Sequence, residues 1–179
     1  MIEDLKTEFR LQQVAPELAE KWKNVREEVW DQTGRQLIVT SGFRSFSDQL
    51  ADWSQGRMKN KNGSWSVSDL RKVVTHAMPG ESYHNYGLAL DSAWGFGDPY
   101  LAKVPPNEAV SLWDLYGELC KQEDLTWGGD WPGEKEDRPH CELNWGMGIH
   151  WTQMTYEREG LHGLWQKGLA LGKCGSNIS

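Results

Sequence analysis

Ser82-Tyr83-His84-Asn85-Tyr86-Gly87-Leu88-Ala89-Leu90-Asp91 decides how this chain folds. It opens a strand-like run, 82–94, with a glycine inside it. In a regular strand, residues seven apart point to opposite faces, so His84 and Asp91 meet only if the chain turns or bulges between them. Gly87 supplies the backbone freedom for that turn. Small Ala89 leaves room for a bulky neighbour. Imidazole and carboxylate are both good Zn²⁺ ligands, and catalytic zinc sites typically use three protein ligands and keep one position open. Spacing alone leaves a second reading open, a half-buried histidine near a turn carboxylate.

Outward from this run, residues 16–33 read as a helix. Pro16 suits a first turn, Leu18, Trp22, Val25 and Trp30 recur at helical spacing, and Gly34 is a stop. Gln36–Thr40 is short and β-branched, a buried strand. Ser47–Gly56 is a short helix, 56–70 a loop, and Val73-Val74-Thr75 a short strand stopped by Pro79-Gly80. The clearest helix is Asn107–Glu123, with Asn107 as its cap and Val110, Trp113, Tyr116 and Cys120 on one face. Trp127–Trp131 is a turn and 139–145 is extended. Thr155–Leu171 is a helix diluted by Gly160, Gly163 and Gly168. Strands this close together exclude right-handed βαβ crossovers throughout, so the class is α+β.

The 179 residues suffice for one domain with a core and are too few for two ordinary ones. With 26 acidic and 19 basic residues the net charge is −7. An acidic chain without a basic run is a poor partner for nucleic acid or an anionic membrane. Eleven tryptophans suggest an indole-rich core and a cleft lined by indoles. Three cysteines without paired spacing argue against a disulfide framework and for a reducing compartment. The polar start, Met1–Lys6, lacks the apolar core of a signal peptide. No stretch approaches the roughly 20 apolar residues of a membrane span.

Two further stretches carry chemistry. In Asp137-Arg138-Pro139-His140-Cys141-Glu142, Pro139 pushes Arg138 towards extended geometry. A carboxylate just before a metal-binding histidine can sit beside the metal without ligating it, where a general base belongs. The alternative is a charged surface loop, Glu134–Arg138, entering a strand. In Thr40-Ser41-Gly42-Phe43-Arg44-Ser45, Arg44 leaves a buried strand among small residues and could reach a cleft to hold an oxyanion or carboxylate. It could equally be solvated.

Taken in order, Ser41-Gly42-Phe43-Arg44-Ser45 with Gln49, Pro79-Gly80-x-Ser82-x-His84-x-x-Gly87-x-Ala89-x-Asp91, Trp127-Gly128-Gly129-Asp130-Trp131 and Asp137-x-Pro139-His140 resemble a known family. It is the VanY-type zinc D-Ala-D-Ala peptidases, and most closely their phage-endolysin branch, the L-alanyl-D-glutamate peptidases. The resemblance implies a small antiparallel sheet flanked by helices, with the zinc site on its open face. It implies one Zn²⁺ ligated by His84, Asp91 and His140. Asp137 becomes the general base, where many relatives carry Glu. Arg44 holds the substrate carbonyl or carboxylate and stabilises the oxyanion, and Ser82 accompanies the first ligand as a contact either to the substrate or to the ligand itself.

The implied activity is hydrolysis of the peptidoglycan stem peptide at the L-Ala–D-Glu bond, as a phage endolysin in host lysis. The alternatives are a D-Ala-D-Ala carboxypeptidase of the same family and an inactive wall-binding or virion structural protein. One peptidase domain is expected over 1–179, with the family core at about 36–143 and an extension over 144–179. Residues 59–70 are an insertion rimming the cleft. Cys141 stands where relatives carry an aromatic, and as a strand neighbour of His140 it points away from the metal. His150 and His162 have no family counterpart and are structural or surface residues. The expected partner is the stem peptide, with no nucleic acid, no membrane insertion and a monomeric state. The expected location is the host cytoplasm, without a signal peptide, followed by action on the wall after release by another agent.

Overall fold

The computed structural model describes residues 4–95 and 98–175. Met1–Glu3 of the polar start and the side chain of Cys174 lie outside the described residues. In chain order the elements are α1 (Leu5–Leu11), α2 (Pro16–Thr33), β1 (Leu37–Ser41), α3 (Phe46–Ser54), β2 (Arg57–Lys59) and β3 (Trp65–Val67). They continue with β4 (Ala89–Trp94), α4 (Pro106–Gln122), β5 (Thr126–Trp127), β6 (His140–Glu142) and α5 (Ile149–Gly175). Four strands form an antiparallel sheet in the order β1-β4-β6-β5, and β2 and β3 pair separately. This is the α+β class, a small antiparallel sheet flanked by helices.

Alternation along β4 and β6 gives this sheet two unlike faces. On one face Leu90, Ser92, Trp94 and Cys141 join the core with Leu18, Trp22, Val25 and Val29 of α2 and Trp113, Tyr116 and Cys120 of α4. The indole of Trp22 donates to Ser92 Oγ at 2.9 Å, and that hydroxyl meets Tyr116 Oη at 3.0 Å. The other face carries Asp91, His140 and Glu142. Register brings them together: Asp91 lies opposite Ser41 of β1 and opposite His140 of β6.

Residues 82–94 are not one strand. Tyr83–Tyr86 form a turn of 3₁₀ helix, Gly87 takes a left-handed conformation at φ 63°, and β4 starts only at Ala89. A Cβ at Gly87 would lie 2.9 Å from the Trp165 ring and 3.2 Å from the Gln13 carbonyl oxygen. Gly87→Ala combines left-handed strain with this crowding, so it should cost about 1–3 kcal/mol of stability in urea unfolding. Unchanged stability would show that the turn tolerates a side chain.

Other boundaries shift for tertiary reasons. The loop expected over 56–70 contains the β2–β3 hairpin. Val73-Val74-Thr75 is not a strand, because among the described residues no strand pairs with it, and Val74 is exposed. Helix α4 starts at Pro106 with Pro105 at its cap, not Asn107, and Val110 faces solvent. Trp30 is only partly buried, and Val29 takes the core position. Helix α5 begins earlier than expected, at Ile149, and is interrupted at Gly160 (φ 69°, ψ −176°). Among the described residues no helix is long and apolar enough to cross a membrane.

Candidate metal centre

His84, Asp91 and His140 each offer a ligand atom, and these atoms lie within 4.8 Å of one another. The turn at Gly87 brings His84 over the open face, and the pairing of β4 with β6 supplies the other two. The backbone around His84 is tied to the β1–α3 connection. Arg44 N donates to the His84 carbonyl at 3.0 Å, and Asn85 Nδ2 donates to the Arg44 carbonyl at 2.9 Å. His84 Nδ1 lies 2.8 Å from the Gly42 carbonyl oxygen, an acceptor, so Nδ1 carries the proton. That leaves His84 Nε2 facing Asp91 Oδ1 at 3.3 Å. On the other side His140 Nδ1 lies 3.1 Å from the same oxygen.

Two imidazoles and a carboxylate converging beside an open cleft fit a divalent cation such as Zn²⁺. Burial opposes ionisation of Asp91, but His84 and His140 outweigh it and hold this carboxyl well below its usual range. Burial likewise opposes a charged His140, but hydrogen bonds to Asp91 and Glu142 push its pKa up to about 10.

Glu142 was not picked out by sequence reasoning. Its Oε2 lies 3.2 Å from His140 Nε2, and Asn144 Nδ2 donates to its Oε1 at 3.2 Å and to Thr126 Oγ1 at 2.9 Å. It is buried. The available signal was its place two residues beyond His140 on one strand, hence on the same face. The Trp131 ring covers His140 at 4.9 Å between centroids.

Asp137 lies outside the three-residue group but lines the same cleft, of about 750 Å³. Its amide donates to the Gly128 carbonyl at 2.9 Å, and its carbonyl accepts from His140 N at 3.1 Å. A Cβ at Gly128 would sit 2.5 Å from the Asp137 carbonyl oxygen, so only glycine allows this approach. The Trp127 indole donates to the Arg138 carbonyl at 2.8 Å. The Trp-Gly-Gly-Asp-Trp turn therefore supports the Asp137 loop. Burial, then the nearby Asp91 charge, raises the Asp137 pKa against the opposing pull of His140 and His84.

Arg44 also lines the cleft, but it does not project freely. Its Nη1 lies 3.3 Å from Asp52 Oδ2 and donates to Gln49 Oε1 at 3.2 Å, while Nη2 donates to Ser41 Oγ at 3.2 Å. Nη2 is 4.0 Å from Asp91 Oδ2. Gln49 is fully buried and donates to the Ala77 carbonyl at 2.9 Å, joining Arg44 to the cleft wall. Ser45, read only as a small neighbour, caps α3. Ser82 lines the cleft beside His84. Cys141 points into the core, where it and Cys120 are buried free thiols. His150 and His162 are exposed and outside the group.

The VanY family model, described as D-alanyl-D-alanine carboxypeptidase, matches residues 11–100. A second model of the same description, Peptidase_M15_4, matches residues 75–143. The first spans half of the chain, and the chain belongs to this family of VanY-type peptidases. It is 39% identical over 114 residues to the peptidoglycan L-alanyl-D-glutamate endopeptidase CwlK of Bacillus subtilis (strain 168). That match takes in 62% of this chain and 62% of the length of CwlK. The chain is also similar to the crystal structure of the Serratia marcescens L-Ala D-Glu endopeptidase ChiX. The TM-score is 0.49 at 17% identity, over 79% of this chain and 88% of that one.

Proposed function

We propose that this chain is a zinc-dependent peptidase that hydrolyses the L-Ala–D-Glu bond of the peptidoglycan stem peptide, and that it serves as a phage endolysin. The observation that carries the reading is the convergence of His84, Asp91 and His140 beside a cleft that also holds Asp137. The relation to CwlK supports the choice of bond. The peptidase unit is 1–179, with its core at about 36–143. The enzyme reaches the wall from the host cytoplasm through a separate release factor.

When bound, Zn²⁺ supplies Lewis acidity and activates the hydrolytic water. The chain's residues do the rest. His84, Asp91 and His140 hold the ion. Glu142 accepts a hydrogen bond from His140 Nε2–H and keeps Nδ1 aimed at the centre. Asp137 takes the proton of the attacking water and passes it to the leaving amine. Arg44 exchanges contact with Asp52 for an oxygen of the scissile group, where negative charge develops. Ser82 contacts the substrate beside the first ligand.

Mass spectrometry of digested muropeptides tests the reading. A new D-Glu amino terminus, abolished by a chelator, is the expected result. Loss of terminal D-Ala instead would establish the carboxypeptidase reading, which the descriptions of both matching family models favour. No product from either bond would leave a wall-binding protein.

Two substitutions probe the supporting residues. Glu142→Ala should weaken zinc affinity about 10–100-fold, the usual cost of losing an outer partner of a ligating histidine. Competition with a chromophoric chelator measures it, and unchanged affinity would remove Glu142 from the site. Arg44→Ala should act mainly on kcat, with Arg44→Lys a partial rescue, because Lys keeps the charge and loses the planar fork. A loss confined to KM on substrates with a free terminal carboxylate would show that Arg44 grips that carboxylate instead.

A further inference from the structure

Between α3 and the cleft wall the chain gathers charge of one sign. From Arg57 to Lys72 there are five cations, Arg57, Lys59, Lys61, Arg71 and Lys72, against the single carboxylate Asp69. The rest of the chain holds 14 cations against 25 carboxylates. The sequence shows no basic run. The β2–β3 hairpin carries Arg57 and Lys59 on its first strand and Lys61 in its turn, and the short 3₁₀ turn after it, Leu70–Lys72, carries Arg71 and Lys72; together they form an arm of the chain.

Arg57 anchors the arm. It donates to the carbonyls of Trp53 and Thr75, the latter at 3.0 Å, and lies over the Trp53 ring at 4.6 Å. The other four cations face outward. Lys59 and Lys61 are exposed, and among the described residues no carboxylate pairs with them. Arg71 and Lys72, with side chains 91% and 74% exposed, share Asp69. The arm then runs directly into Val73–Ala77, which lines the cleft. Gly56 clamps the two ends together: a Cβ there would sit 2.4 Å from the Asp69 carbonyl oxygen and 2.9 Å from Val73 N.

We propose that this arm is a docking surface for the stem peptides of peptidoglycan, whose free carboxylates meet Lys59, Lys61, Arg71 and Lys72 beside the cleft. The inference rests on the functional reading above and adds where the polymer is held. A cross-linked wall presents many carboxylates at once, so weak contacts at the rim add up while one peptide enters the cleft. Exposed rim charges of this kind control encounter and its dependence on salt more than they control chemistry.

The test is cosedimentation of the full chain, supplied with Zn²⁺ and kept on ice, with purified sacculi stripped of phosphodiester polymers. Wild type should bind at low salt and lose binding as salt rises. The Lys59→Glu/Lys61→Glu double variant should bind about tenfold or more weakly at low salt and match wild type at high salt. Amidating the wall carboxylates should erase the difference. The Lys59→Gln/Lys61→Gln pair, expected to fall between, replaces the charge reversal if its thermal midpoint drops. Equal binding by wild type and folded variants at low salt would overturn the proposal. So would wild type that binds only unstripped wall, or anionic phospholipid vesicles in place of stripped sacculi. Muropeptide release from the same sacculi is read separately: no product there, whatever sediments, is a failure of the functional reading and not of the arm.

Discussion

His140→Ala is expected to abolish metal binding and peptidase activity together. His140 lies between two carboxylates, with Nδ1 3.1 Å from Asp91 Oδ1 and Nε2 3.2 Å from Glu142 Oε2. Truncation removes one of the three atoms that could ligate a metal and leaves Asp91 and Glu142 on the open face without the group between them. Breaking a buried pair by deleting one partner costs about 3–5 kcal/mol, so the metal-free variant should also melt earlier than metal-free wild type. Elemental analysis, muropeptide digestion and thermal unfolding of both forms measure the three effects. His140→Gln keeps bulk and polarity, so it separates loss of the ligand from loss of the fold. A variant that retains one zinc per chain would show that His140 is not a ligand.

Asp137→Asn should do the opposite to the metal. The substitution preserves shape, and the contacts that place the loop come from the backbone: Asp137 N to the Gly128 carbonyl and His140 N to the Asp137 carbonyl. Fold and zinc content should therefore survive. An amide cannot accept the water's proton, so turnover should fall about 10²–10⁴-fold, the usual range for a general base. Stoichiometric zinc with kcat in that reduced range is the expected pair of measurements. Zinc released by Asp137→Asn would make Asp137 a ligand, and full turnover would give the base to another residue.

What was legible in the sequence was local. Pro16 and Gly34 bound α2 where read, because a proline at the start and a left-handed glycine at the end act through their own backbone. The need for a turn between His84 and Asp91 followed from strand geometry, and Gly87 at φ 63° provides it. The family motifs marked the three residues that converge within 4.8 Å.

Tertiary structure decided what depends on partners distant in the chain. Val73-Val74-Thr75 has strand-forming residues but no strand beside it, and β propensity acts only through pairing. Arg44 is braced by Asp52 and Gln49 of α3, and the buried Gln49 is itself held by the Ala77 carbonyl far along the chain, which spacing around Arg44 does not encode. Glu142 faces His140 along their own strand, but His140 stands between two carboxylates only when β6 pairs with β4 and brings Asp91 alongside. The cations of the arm lie scattered from Arg57 to Lys72, and the fold brings the two ends of that stretch together where Gly56 meets Asp69, Lys72 and Val73. Local backbone preference is set by each residue and its near neighbours. Side-chain direction across a sheet, ion pairing and charge clustering are set by contacts that exist only after the chain has closed on itself.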